Sequence, residues 1–279
     1  MAAQAILETH DLSKHFGGLK AVDGVTMQVR EGALHSIIGP NGAGKTTLFN
    51  LLSGNLRPTR GRVVFQGRDV TRLPLHRTAH LGIGRSFQIT NIFPNLTVLE
   101  NVRLAAQARG GDNFKLFRHY LQLRDYVDRA LHVIAQVGLD GKESVPANAL
   151  PHGDKRKLEL AILLAPDPQL LLLDEPTAGM ASEQVPALME VIEDIRGVLS
   201  PVLSMSKGPS KGNLGSKTIL LVEHNMHVVM NVSDYITVMH QGRVLAEGTP
   251  KEIAANEAVQ QAYLGQLYDL GSSGSSPAK

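Results

Sequence analysis

The stretch Gly39-Pro40-Asn41-Gly42-Ala43-Gly44-Lys45-Thr46-Thr47 fits the spacing G-x-x-x-x-G-K-[ST] at every fixed position. An apolar run, Ala33 to Ile38, precedes it, and a helix-like run, Thr47 to Ser53, follows. Strand, loop and helix in that order form the setting in which this spacing carries chemistry. The glycines let backbone N–H groups turn inward around an anion with no Cβ in the way. The helix N-terminus behind them adds partial positive charge. Lys45 can reach the outer phosphates of a nucleotide, and the Thr46 hydroxyl can ligate Mg²⁺. The expected ligand is a nucleoside triphosphate, held by Gly39, Asn41, Gly42, Gly44, Lys45, Thr46 and Thr47.

A loop of this kind needs a carboxylate for Mg²⁺ and another for the attacking water. Leu170-Leu171-Leu172-Leu173-Asp174-Glu175-Pro176-Thr177 supplies both. Four leucines make a buried strand, and Asp174 falls where that strand ends, the edge at which open α/β sheets bind ligands. Asp174 is the expected metal carboxylate, and Glu175 could polarise the water that attacks the γ-phosphate. Without the phosphate loop, an acidic pair ending a strand would be the better reading. Gln88, closing Arg85-Ser86-Phe87-Gln88, could touch Mg²⁺ or the water; alone it is an ordinary polar loop residue. His224, two residues past the strand Thr218–Val222, could hydrogen-bond the γ-phosphate, although a lone histidine is more often structural. Phe16 could stack on a purine face, with a core aromatic as the equal alternative. His76 and His80, or His224 and His227, lack a third ligand at a metal-site spacing and read as incidental.

Composition sets bounds. The 279 residues are 43% hydrophobic, enough for a sizeable core without staples. A net charge of +2 gives no electrostatic argument for a nucleic-acid partner. The absence of cysteine excludes disulfides and thiolate metal sites. Neither a signal-like N-terminus nor an apolar run near 20 residues is seen, so a soluble protein is expected, with any membrane role through a partner.

Along the chain, 6–10, 25–30 and 61–66 read as strands of an antiparallel sheet, with a turn at Gly17-Gly18. Residues 76–84 read as irregular or briefly helical. Apolar residues three and four apart make 98–164 mostly helical, broken at Gly110–Asn113. Strands follow at 169–174 and 218–222, a helix at 183–198, and a hairpin at 235–239 and 243–247. Residues 200–217 and 271–279 are low in complexity, expected as a flexible insertion and tail. Lys207, Lys211 and Lys217 in or beside the first could touch a partner, with a plain surface loop as the better reading.

Phe16, the 39–47 loop, Gln88, Leu150-Pro151-His152-Gly153-Asp154, Leu170–Glu175 and His224 occur in the order of the motifs of ABC-transporter ATPase subunits, which the chain resembles over roughly 5–265. The resemblance implies a P-loop NTPase (RecA-like) α/β core, about 1–89 and 166–250. It also implies an N-terminal antiparallel β subdomain, an inserted helical subdomain near 90–165 and a C-terminal helical extension near 251–268. It further implies ATP and Mg²⁺ as cofactors, and head-to-tail pairing with a second ABC ATPase. In such a pair each ATP lies between one phosphate loop and the other subunit's signature, here 150–154. Leu81-Gly82-Ile83-Gly84-Arg85-Ser86-Phe87-Gln88, Phe93 to Val102, Glu223-His224-Asn225-Met226 and Ala262-Tyr263-Leu264-Gly265 resemble the subunits that serve branched-chain amino acid importers, with urea and amide importers similar. That implies permease partners, contacted by about Ile89–Val102 and the helical block, and indirectly a periplasmic solute-binding protein. The location implied is the cytoplasmic face of the inner membrane. A soluble ABC protein acting on ribosomes or DNA, and a regulatory nucleotide-binding subunit, are the alternatives; one cassette and no basic excess argue against the former, Glu175 and His224 against the latter.

The chain departs from that pattern in three places. The signature is usually L-S-G-G-Q; here Pro151 holds the Ser position and Asp154 the Gln position. Pro151 offers neither hydroxyl nor N–H, a loss of about 1.5–3 kcal/mol for one charge-assisted bond, and Asp154 is expected to oppose a phosphate. The ATP site closed by this signature is therefore expected to be the weaker of two. The loop after Glu175 reads Ala178-Gly179-Met180-Ala181 where S-A-L-D is usual, which removes a carboxylate from the route between sites. Finally, 50 positions separate Asp174 from His224, more than is usual.

Overall fold

The computed structural model describes residues 4–86, 92–108, 120–197 and 217–263. In chain order the elements are β1 (Ala5–Phe16), β2 (Leu19–Arg30), β3 (Leu34–Ile38), α1 (Lys45–Leu52), β4 (Arg60–Phe65), β5 (Arg68–Asp69), α2 (Leu75–Leu81), β6 (Ile83–Arg85), α3 (Val98–Ala108) and α4 (Tyr120–Gln136). There follow α5 (His152–Leu164), β7 (Leu170–Asp174), α6 (Val185–Arg196), β8 (Thr218–Val222), α7 (Met226–Val232), β9 (Tyr235–His240), β10 (Arg243–Gly248) and α8 (Pro250–Ala254). A helical stretch, 257–263, ends the described chain. No helix in it is long and apolar enough to cross a membrane. The chain divides into two compact units, Met1–Leu75 with Leu220–Lys279, and His76–Ile219.

The first unit carries an antiparallel sheet in the order β2-β1-β4-β5. β1 and β2 are 12 residues each, longer than the short strands expected. Register shifts between Thr9 and Leu12 and between Leu12 and Lys14 break the alternation that a sequence reading depends on. The buried hydroxyl of Thr9 compensates, donating to Val25 O (3.0 Å) and accepting from Met27 N–H (3.0 Å). Separately, the fully buried β3 pairs in parallel with β9, which pairs antiparallel with β10. Ile38, Val229, Ile236, Val238, Ile253 and Val259 form the core under these strands. A polar chain links the same three strands. His35 Nε2 lies 2.7 Å from Thr237 Oγ1, which donates to Glu247 (2.7 Å), so Nε2 carries the proton and donates. Burial, with Arg30 nearby, pushes the His35 pKa down to about 4.

In the second unit the three-residue β6 pairs in parallel with β7, through Ile83–Leu170, Gly84–Leu171 and Arg85–Leu172. At Gly84 a Cβ would press 3.1 Å from Leu163 and Pro168, so glycine is what lets β6 approach. Helices α3, α4 and α5 bury Val98 and Val102, Val133 and Ile134, and Leu158 and Leu164 against one another. Arg129 of α4 donates to the carbonyls of Leu164 and Ala165 at the C-terminal end of α5. Asn101, 2% exposed, accepts from Phe93 N–H and donates to Phe93 O, Leu96 O and Thr97 O, fixing the segment ahead of α3. Lys217 is buried and donates to Asp167 (2.7 Å), so it is not the partner-facing lysine the sequence allowed. Lys207 and Lys211 lie outside the described residues.

Candidate functional site

In the first unit β3 delivers the chain into the loop 39–44, and α1 begins at Lys45. Two glycines are sterically required. At Gly39 (φ +153°) a Cβ would sit 2.2 Å from Met239 O, and at Gly44 (φ +98°) 2.2 Å from Ala21 O. Gly42 has open space around it, and only its positive φ (+78°) asks for glycine. The hairpin tip braces the loop: Gly242 N–H donates to Ala43 O (3.0 Å), while Gly242 O accepts from Asp23 N–H (2.8 Å). Asp23 also accepts from Arg243 (2.6 Å), which holds its carboxyl below the usual range. Lys45, 6% exposed, donates through Nζ to Gly39 O (2.6 Å) and Pro40 O (3.1 Å). Asn41, Gly42 and Thr46 face solvent. Tyr263 packs against the core cluster that includes Ile38 and accepts from Gly39 N–H, and burial pushes its hydroxyl up to about 12.

Phe16 ends β1 at 50% exposure, with Lys14 Nζ 5.1 Å from its ring centroid. It is exposed, so the core-aromatic reading falls. His224 is exposed just past β8; its N–H donates to the buried carboxylate of Glu223 (3.1 Å). Asn225 then caps α7, accepting from Val228 N–H (3.3 Å).

In the second unit Asp174 is the last residue of β7 and only 7% exposed. Its N–H donates to Ser86 Oγ (3.0 Å), and Ser86 donates in turn to Leu172 O through N–H (2.9 Å) and Oγ (3.3 Å). The Arg85 guanidinium, largely buried, lies 3.8 Å from the Asp174 carboxylate. Burial lowers the Arg85 pKa and the nearby Asp174 opposes that shift. Glu175 is half-buried with a left-handed backbone (φ +49°), unusual away from glycine. Gln88 lies outside the described residues, as do Leu264 and Gly265.

The segment 150–154 starts α5. Leu150 is buried, Pro151 is the N-cap residue (φ −57°, ψ 159°), and Pro151 and His152 are exposed. Asp154 does not present a bare charge there, because Lys142 Nζ donates to its carboxylate at 2.5 Å. The expected opposition to phosphate is thereby largely cancelled. Arg156, two residues on, donates to Ala178 O (3.0 Å) and Glu159 (2.8 Å). The Lys142–Asp154 and Arg156–Ala178 pairings do not follow from spacing, since each joins separate segments.

The loop of the first unit suits a triphosphate: it exposes backbone and hydroxyl groups at a helix start, and its lysine is held by carbonyls that a phosphate would outbid. In the second unit a buried carboxylate, of the kind Mg²⁺ takes, ends β7. Among the described residues no group of three or more His, Asp and Glu could hold a metal ion.

Comparison with known proteins identifies the family. A family profile described as ABC transporter matches residues 22–178, and one described as branched-chain amino acid ATP-binding cassette transporter matches 243–268. The chain is 37% identical over 271 residues to BraF of Pseudomonas aeruginosa, covering 95% of this chain and 99% of that protein. It is 38% identical over 273 residues to LivG of Salmonella typhimurium, with the same coverage. Both are called high-affinity branched-chain amino acid transport ATP-binding proteins. LptB of Haemophilus influenzae, a lipopolysaccharide export ATP-binding protein, is 30% identical, covering 95% of this chain and 100% of that protein. Among solved structures, the ADP conformation of MJ1267, an ATP-binding cassette of an ABC transporter, superposes with a TM-score of 0.75 at 28% identity, covering 94% of this chain and 99% of that one. A dimeric post-hydrolysis cassette, MJ0796 bound to ADP and Pi, gives 0.67 at 25% identity, covering 88% and 98%.

Proposed function

This chain belongs to the ABC-transporter ATP-binding proteins, ATPases with a P-loop α/β fold, and on that premise we propose that it powers uptake of branched-chain amino acids through a partner permease. The observation that carries the substrate class is the C-terminal match at 243–268, together with end-to-end identity to BraF and LivG above that to the export protein LptB. Partners of the proposed complex are integral-membrane permease subunits, a second ABC ATPase and, indirectly, a periplasmic solute-binding protein. It would work at the cytoplasmic face of the inner membrane. The MJ0796 dimer supports pairing of two cassettes.

In this reading Phe16 stacks on the base, and the N–H groups of 39–47 receive the phosphates. Lys45 exchanges its carbonyls for the outer phosphates. Thr46, Asp174 and Gln88 would hold Mg²⁺, which when bound neutralises charge on the phosphates. Glu175 aligns and polarises the water, and His224 holds it toward the γ-phosphate. The signature 150–154 closes over the partner's nucleotide.

The reading is tested by reconstituting the complex in proteoliposomes and following labelled leucine. ATP-dependent leucine uptake that is lost in Glu175→Gln is expected. Uptake of urea or an amide with no leucine uptake would replace the substrate, and leucine uptake by Glu175→Gln at the parent rate would remove Glu175 from the chemistry.

A further inference from the structure

The left-handed backbone at Glu175 is a strained conformation, and strain of this kind persists only where its surroundings enforce it. Ala178 closes the turn that Glu175 begins. Its N–H donates to Glu175 O (3.0 Å), closing the turn Glu175-Pro176-Thr177-Ala178, and Met180 N–H donates to Thr177 O (3.1 Å) just beyond. The carbonyl of the same Ala178 accepts from Arg156 (3.0 Å). Arg156 is itself anchored, its other terminal nitrogen donating to Glu159 one turn along α5 (2.8 Å). Its side chain is only 18% exposed. The start of α5 approaches the same loop twice more. A Cβ on Gly179 would lie 3.8 Å from His152 Nε2, and one on Gly153 3.5 Å from the Gln184 side chain.

Ala178 is thus held from both sides, by Glu175 through its N–H and by the α5 arginine through its carbonyl. A guanidinium fork fixes direction as well as charge, so a shift of α5 pulls on this carbonyl and through it on the turn. We propose that Arg156 is a positioning residue that couples the signature helix to Glu175 through Ala178. This gives the two ATP sites a route that does not use the carboxylate absent at Ala181. It rests on the reading above, in which Glu175 aligns the water and 150–154 closes the partner's site.

Two measurements test it. In hydrogen exchange on the full chain, Arg156→Ala should speed exchange of the Ala178 amide about tenfold while the amides of β7 keep their protection. In the assembled complex Arg156→Ala should lower kcat about tenfold with KM for ATP nearly unchanged, and move the Hill coefficient for ATP toward one. Arg156→Lys should recover part of kcat without restoring cooperativity. Unchanged Ala178 exchange, or parent kcat with parent cooperativity, overturns the proposal. Should Arg156→Ala fail to fold, Arg156→Lys and Glu159→Gln decide, and parent exchange and kinetics in both overturn it equally. Glu175→Gln is run alongside. If it turns over normally, the reading of Glu175 is wrong; if it is dead while the Arg156 variants behave as the parent, only the coupling is wrong.

Discussion

Lys142 closes on Asp154 at 2.5 Å, so the carboxylate standing where the signature usually has glutamine is already neutralised by a residue twelve positions earlier. It occupies the first turn of α5, where a negative charge also suits the helix dipole. Releasing it should matter. Lys142→Met is expected to lower ATPase activity of the assembled complex about two- to fivefold at low ionic strength and less in high salt. The double variant Lys142→Met/Asp154→Gln should recover the loss. A salt-independent defect, or no recovery, would break the link to charge.

Pro151 holds the N-cap position of α5 with φ and ψ that serine can adopt. Pro151→Ser is therefore expected to leave the fold intact, raise melting stability by about 0.5–1 kcal/mol through capping, and raise ATP turnover of the complex. An unaltered turnover rejects the idea that this signature closes the weaker site.

The phosphate loop makes a stability prediction at one atom. Gly39→Ala places a methyl 2.2 Å from Met239 O, backbone that cannot yield cheaply. A loss of at least about 2 kcal/mol is expected in chemical denaturation. Lys45→Met, by contrast, should unfold near the parent midpoint yet lose hydrolysis by about a hundredfold or more. Parent-like unfolding of Gly39→Ala would show that the loop is looser than its geometry.

His35 makes a pH prediction. Its folded pKa near 4 lies below the ordinary 6.5 because burial disfavours the cation. As pH falls below 6.5 the unfolded chain binds the proton first, so the stability present above 6.5 is lost progressively down to about 4. Summed over that window the loss is about 3 kcal/mol. His35→Gln, which can still donate to Thr237, should flatten this slope in urea melts at stepped pH. A variant as acid-sensitive as the parent would assign the slope elsewhere.

Asn101 holds Phe93, Leu96 and Thr97 from a fully buried position. Asn101→Ala should cost about 2–4 kcal/mol by thermal melting, because it orphans several backbone groups at once. If 92–102 contacts the permease, as the proposed function has it, transport in proteoliposomes should fall further than ATP hydrolysis does.

What the sequence determined by itself is local. The phosphate loop, the leucine strand ending at Asp174, the strand Thr218–Val222 and the hairpin around Gln241-Gly242 each declare themselves within ten residues or so, where spacing and side-chain type restrict the backbone directly. Order along the chain then supplied the family. The remainder needed the folded chain, because it depends on which distant groups meet. β1 and β2 run on through bulges that break the alternation, and β6, three residues long, is defined by its pairing with β7, with Gly84 close against Leu163 and Pro168. Phe16 at the surface, Lys217 in the interior, Lys142 against Asp154 and Arg156 against Ala178 are decided by tertiary contacts between segments up to 50 residues apart. Pairing of charges and carbonyls across such distances leaves no periodic trace in the sequence. The sequence thus determined that a nucleotide is held and named the carboxylates expected to attend it; the tertiary structure decided how the signature helix is charged and what it holds.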